Sequence, residues 1–417
     1  MKDNEKLLDA IGEVDETLVP DIAPLKKRSA VKWAALGGAC CAAAVAGVVI
    51  FGASGQSKLL TPVPSAEELA SLPKLSAEMA AGTMGFEGYM VYDISELDDG
   101  NPWREEMQFG SLPVYKNLAY SEGVFGAAVY LSEDEMRTIA EDAAERLDVT
   151  VTGEELVLVG DLFGKLPPEG ELAEAVYQYT AVCDGERFGV SELAIRVNGD
   201  GCITVDFGEG APLPDEYSFS YHDTDDAEAA VTTEYLLQTF SGLIGFDDPV
   251  ICYWGDRTIY ADRVMNYRSY DGGGDVLQDI LNFNLGYAEF APNDNGVLML
   301  VRIRDELCAA EKLGDYPVIT AQRAREKLLC GEYITTVPSM YLKDGVINEE
   351  DIVKTELVYR SGNGERYYQP YYRILVGLYT EDRTLPEGML HYGAYYVPAV
   401  SEEYLTDIPT WNGSFNG

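Results

Sequence analysis

The chain has 417 residues, with 30 basic and 71 acidic side chains and a formal net charge of −41. Nucleic acid is excluded as a partner, because phosphate binding needs basic patches and so acidic a surface repels polyanions. A hydrophobic content of 47% with 28 Tyr and 13 Phe argues for folded domains over disorder.

Residues 3–18, DNEKLLDAIGEVDETL, place Leu7, Leu8, Ile11, Val14 and Leu18 on one face of an amphipathic helix. A tail of residues 1–32 has no core of its own to cover that face, and an acidic polar side does not suit a membrane surface. A cytoplasmic partner protein is the expectation there, and a frayed leader the alternative. Trp33 to Ala53, WAALGGACCAAAVAGVVIFGA, then runs 21 residues without a charge. As a helix it would be about 31 Å long, the thickness of a bilayer core, and it reads as one transmembrane span. Lys26, Lys27, Arg28 and Lys32 precede it and only Lys58 follows closely, which puts the N-terminus in the cytoplasm and the rest outside the cell membrane. A cleavable signal peptide ending near Ala53-Ser54-Gly55 is the alternative, but the run exceeds the roughly 7–15 residues of such segments. Cys40 and Cys41 lack a lipobox and read as small hydrophobes.

Residues 54–82 carry Pro62, Pro64 and Pro73 among Ser, Ala and Glu, as a stalk with one short helix would. Ser71-Leu-Pro-Lys74 matches the S-x-x-K nucleophile motif but stands there without its companion motifs. Three loosely recurring units follow, over 83–215, 216–315 and 316–417. The first has a capped helix at Ser132 to Leu147, then strands at 175–183, 187–197 and 202–207 with a hairpin turn at Asn198-Gly-Asp-Gly201. The second has a helix at about 227–243, then strands near 250–253, 258–267, 286–291 and 297–303. The third has a helix from Thr320, then strands at 352–360, 367–379 and 391–400. A helix on a short antiparallel sheet is the shared theme, so the expected class is an α+β ectodomain of repeated helix-plus-sheet units behind one transmembrane helix.

In the third unit, Thr320-Ala-Gln-Arg-Ala-Arg-Glu-Lys-Leu-Leu329, Gly331-Glu-Tyr333, Glu356-Leu-Val-Tyr359, Gln369-Pro-Tyr-Tyr-Arg373 and Tyr396-Val-Pro-Ala-Val400 resemble the C-terminal repeat of YycI-like and PepSY-like proteins. That resemblance implies an anchored extracytoplasmic module of Gram-positive bacteria that regulates membrane kinases or inhibits proteases by protein contact, with no catalysis of its own. Asp93-Ile-Ser-Glu-Leu97, Asn101-Pro-Trp103 and Leu112-Pro-Val-Tyr-Lys-Asn117 are similar to uncharacterised single-pass proteins of anaerobic Gram-positive bacteria. The doublets Tyr367-Tyr368, Tyr371-Tyr372 and Tyr395-Tyr396 must, in regular strand, put one ring on each sheet face, and an outward set would make a binding surface.

Catalytic signals are thin. His222 and His391 are the only histidines, and neither sits in a metal or nucleophile motif. Asp223, Asp225 and Asp226, and Asp271 and Asp275, offer carboxylates to Ca²⁺ without following an EF-hand loop, so solvated turns are favoured. Cys183, Cys202, Cys252, Cys308 and Cys330 show no C-x-x-C pair and read chiefly as buried thiols, with one or two disulfides at most. No cofactor or metal is expected. The expected function is a membrane-integrated regulatory protein, not an enzyme, with an extracytoplasmic protein or envelope ligand as second partner. The alternative is a cell-surface hydrolase using carboxylates on wall or carbohydrate.

Overall fold

The computed structural model describes residues 59–77, 87–120, 129–162, 170–217, 220, 224–257, 263–293, 296–362, 364–379 and 386–407. The amphipathic face from Leu7 to Leu18 and the apolar run Trp33 to Ala53 lie outside them. No helix among the described residues is long and apolar enough to cross a membrane.

Helix α1, Ala66–Ser71, is capped by Ser65, whose hydroxyl accepts from the Glu68 amide while Glu68 accepts from the Ser65 amide. The segment expected as a free stalk lies on the folded body over its described part. Leu60 N donates to Gln108 O at 2.8 Å, Gly110 N to Thr61 O at 3.1 Å, and Leu75 is fully buried beside Leu405. The prolines suggested an extended spacer, but extended backbone also suits lying along a neighbouring strand.

Strands β1 (Gly88–Val91) and β2 (Ser111–Asn117) come next, ahead of helix α2 (Glu133–Leu147). Ser132 and Glu135 close the expected capping box, and Met136, Ala140, Ala143, Ala144 and Leu147 form the buried face. Strands β3 (Val151–Leu158), β4 (Val176–Asp184), β5 (Glu192–Asn198) and β6 (Ile203–Ala211) then form an antiparallel meander. Helix α3 (Asp226–Thr239) opens a second such set with β7 (Pro249–Arg257), β8 (Arg263–Asp271), β9 (Gly286–Pro292) and β10 (Leu298–Asp305). The last strands of the two sets pair, giving one eight-stranded sheet in the order β3-β4-β5-β6-β10-β9-β8-β7. The first two units are thus halves of a single sheet.

One transverse row crosses that whole sheet: Glu155, Thr180, Arg196, Thr204, Arg302, Glu289, Arg268 and Cys252 stand opposite one another strand by strand. The neighbouring parity on the same strands carries Tyr179, Ile195, Val205, Val301, Phe290 and Tyr267, which pack with α2 and α3 into the largest core. The row therefore occupies the opposite face. Helix α4 (Val276–Leu285), inserted between β8 and β9, covers part of that opposite face. Its Phe283 packs on Cys252 and Tyr270, while Ile280, Leu281 and Leu285 join the core of the third unit.

The remaining strands, with helix α5 (Ala321–Leu329) among them, are β11 (Ala310–Pro317), β12 (Ile334–Thr335), β13 (Ile352–Tyr359), β14 (Tyr367–Tyr368), β15 (Pro370–Gly377) and β16 (Leu390–Pro398). A five-stranded sheet runs β1-β16-β15-β13 with β12 also on β16, and a three-stranded one runs β11-β2-β14. The chain is α+β with antiparallel sheets, as expected, but β1 and β2, placed by sequence in the first unit, belong with the third.

Candidate functional site: an arginine-rich cleft between two sheets

Alternation along β15 and β16 sends Tyr372, Ile374, Tyr395 and Val397 to the core that contains α4 and α5, and Tyr371, Leu375, Tyr392, Ala394 and Tyr396 to the other face, where Val91 and Leu97 cover them. Both faces are therefore packed. Tyr368, Tyr371, Tyr372, Tyr395 and Tyr396 are buried, and Tyr367 alone of the six is half-buried. Three of the hydroxyls are hydrogen-bonded inside: Tyr372 donates to Ile319 O and Tyr368 to Glu306 Oε2, each at 2.9 Å, and Tyr371 accepts from Gln369 Nε2 at 2.8 Å, while the Tyr395 hydroxyl is buried without a hydrogen-bond partner. The tyrosine doublets do not form an outward surface, because the segment 88–97 lies on the face that the sequence left without a neighbour.

That second face also holds charges. Arg373 on β15 donates through Nε to Glu356 Oε2 at 3.0 Å and through Nη2 to Asp99 Oδ2 at 2.8 Å. Glu356 is also held by Lys354, at 2.7 Å. Burial alone would lower the Arg373 guanidinium, but Glu356 and Asp99 outweigh it and keep it protonated well above its ordinary range. Just past β13, Arg360 donates from Nε to Glu365 Oε1 at 2.8 Å, lies 3.7 Å from Glu87 Oε1, and stacks 4.5 Å from the Tyr396 ring centroid. Burial opposes this charge too, and Glu365 and Glu87 hold it in place.

The eight-stranded sheet supplies the facing wall. Arg268, from the transverse row, lies flat on the Tyr287 ring at 3.4 Å and beside Phe283 at 5.0 Å, and its Nη2 donates to Phe283 O. Among the described residues no carboxylate is paired with it, and its Nε has no hydrogen-bond partner. Burial raises the Tyr287 phenol despite the pull of Arg268. The end of α4 fixes the two walls together, since Asn284 accepts from Tyr359 N at 3.0 Å and donates to Ile280 O at 2.7 Å. Between them is a cleft of about 260 Å³ lined by Glu87, Asp99, Arg268, Phe283, Tyr287, Arg360, Arg373 and Tyr396, among others.

Its electrostatics differ from those of the chain as a whole. Of its lining residues Arg268, Arg360 and Arg373 are cations and Glu87 and Asp99 carboxylates, in a molecule whose acids outnumber its bases by more than two to one. Glu87 Oε2, like Arg268 Nε, has no hydrogen-bond partner. Sequence reasoning singled out Arg373 within a motif and missed Arg268, Arg360, Glu87, Asp99 and the insertion of α4. The alternation of β8 puts Arg268 on the face opposite Tyr267, but nothing local tells which distant strands cover that face.

The other candidates resolve into structural roles. Asp225 and Asp275 cap α3 and α4, accepting from Glu228 N at 2.9 Å and Gln278 N at 3.0 Å, and Asp226 pairs with Arg263 at 3.3 Å. No cluster of three potential metal ligands occurs among the described residues. Ser71 Oγ donates to Glu68 O at 2.7 Å at the end of an exposed helix. His391 lies half-buried on β16, and His222 and Asp223 fall outside the described residues. Cys183, Cys202 and Cys252 are buried thiols, Cys308 and Cys330 exposed ones. Burial pushes Cys252 up to about 12, which makes it a poor nucleophile. Comparison with family models, with curated proteins and with solved structures finds no match.

Proposed function

We propose that this is a single-pass regulatory protein of a bacterial envelope, whose folded part binds an envelope ligand or protein without transforming it and whose tail reports to a cytoplasmic partner. The cleft carries this reading. A carboxylate acting as general acid or base must exchange its proton with substrate, whereas of the two in the lining Asp99 is held by Arg373 at 2.8 Å and Glu87 stands 3.7 Å from Arg360. Arginine and aromatic walls with a few fixed polar groups suit recognition. The anchor and orientation rest on Trp33 to Ala53 and the basic residues ahead of it.

The test has two arms. Protease added to wall-stripped cells digests the region after Ser54 and spares an N-terminal epitope; an epitope accessible from outside overturns the topology. Leu8→Asp puts a charge on the apolar face of the tail and abolishes recovery of the cytoplasmic partner. Identical recoveries with the wild-type tail and this variant overturn the tail's role.

A further inference from the structure

The structure assigns the cleft to a small zwitterion: an α-amino acid, or the ammonium and carboxylate of a short peptide. This rests on the reading of the cleft as a ligand site and names the class of ligand. Four observations support it together. First, a volume of about 260 Å³ falls below the roughly 300–1,000 Å³ of pockets for drug-sized ligands, so the occupant is small. Second, the lining presents both signs, Arg268, Arg360 and Arg373 against Glu87 and Asp99, so an occupant that carries an anionic and a cationic group finds a counter-ion for each.

Third, the groups without partners are of opposite sign. The Arg268 guanidinium has no carboxylate within ion-pair distance among the described residues and suits a carboxylate; Glu87, whose Oε2 has no hydrogen-bond partner and whose Oε1 stands 3.7 Å from Arg360, suits an ammonium. Fourth, the Arg268 guanidinium is held flat by the Tyr287 ring and the Phe283 carbonyl, so little rotamer freedom remains for it to lose on binding. The remaining wall is aromatic, which fits an α-substituent.

The experiment uses the full-length chain purified in detergent, titrated calorimetrically with the twenty free L-amino acids and with Gly-Gly and Ala-Ala dipeptides. Controls are the N-acetyl derivatives, which lack the ammonium, and the α-amides, which lack the carboxylate. The expected result is binding of free amino acids or of dipeptides, the two arms telling which, with both control series weaker by about 10- to 100-fold. Arg268→Met and Glu87→Gln each weaken binding by a similar factor, and Arg268→Lys retains part of it. Far-ultraviolet circular dichroism of every variant shows whether the fold is kept, and Glu87→Gln, being isosteric, carries the test should Arg268→Met not fold. Equal binding of the N-acetyl series overturns the proposal in favour of a plain anion site. Absence of binding by every probe overturns it outright, while leaving the topology and tail results standing.

Discussion

Arg373 and Arg268 are both cations on inner sheet faces, and they contribute differently. Arg373 neutralises two carboxylates that are themselves buried, so Arg373→Met leaves Glu356 and Asp99 desolvated with only Lys354 near one of them. Removing one partner of such a cluster costs about 3–5 kcal/mol, and equilibrium urea unfolding should show a loss of that size. Arg268 pairs with none among the described residues; its removal forfeits a stacked contact and the hydrogen bond to Phe283 O, a loss of about 1–2 kcal/mol in the same measurement. Comparable losses for the two would mean that the Arg373 network is not the stronger tie. The difference was not legible in the sequence, where both are arginines in strands of alternating pattern, because it depends on Asp99, 274 positions before Arg373.

Elements that the sequence marks through local chemistry were legible. Ser132 with Glu135 announced α2, Asn198-Gly-Asp-Gly201 announced the β5–β6 turn, and Thr320 announced α5. Helix α4 was missed because its start, Gly272 to Asp275, reads equally as an acidic turn, and its apolar residues face two cores at once instead of one. Segment 59–63 was missed because lying along another segment leaves no periodic trace. Its seat against Gly110 is testable. A Cβ on Gly110 would stand 2.7 Å from Thr61 O and 2.8 Å from Val63 N, and backbone cannot give way as a flexible side chain does. Gly110→Ala should cost about 1–3 kcal/mol by this overpacking and expose residues 60–64 to limited proteolysis. Unchanged cleavage would show that the segment is not held there.

For the whole molecule, the class was legible and the assembly was not. Three helix-plus-sheet units could be read one by one; that two of them fuse through β6 and β10, and that β1 and β2 leave the first for the third, are facts of long-range pairing. Net charge acts at this scale too. With a formal charge of −41 the folded state repels itself, and salt shortens the reach of that repulsion from about 30 Å at 0.01 M to about 3 Å at 1 M. The midpoint of thermal unfolding should rise by several degrees as NaCl increases across this range. A falling midpoint in calorimetry would show that ion pairs, which salt also weakens, dominate instead.

The bridge between Leu75 and Leu405 is parallel: Leu75 N donates to Tyr404 O and Thr406 N to Leu75 O, each at 2.8 Å. Tension applied through the chain ahead of Leu60 meets the Leu60–Gln108 and Gly110–Thr61 bonds first and this bridge next, before it reaches the eight-stranded sheet. Two bonds sharing one residue load together as a clasp, and a pull on that end would act first on the third unit, beside the five-stranded sheet, leaving the eight-stranded sheet mechanically sheltered.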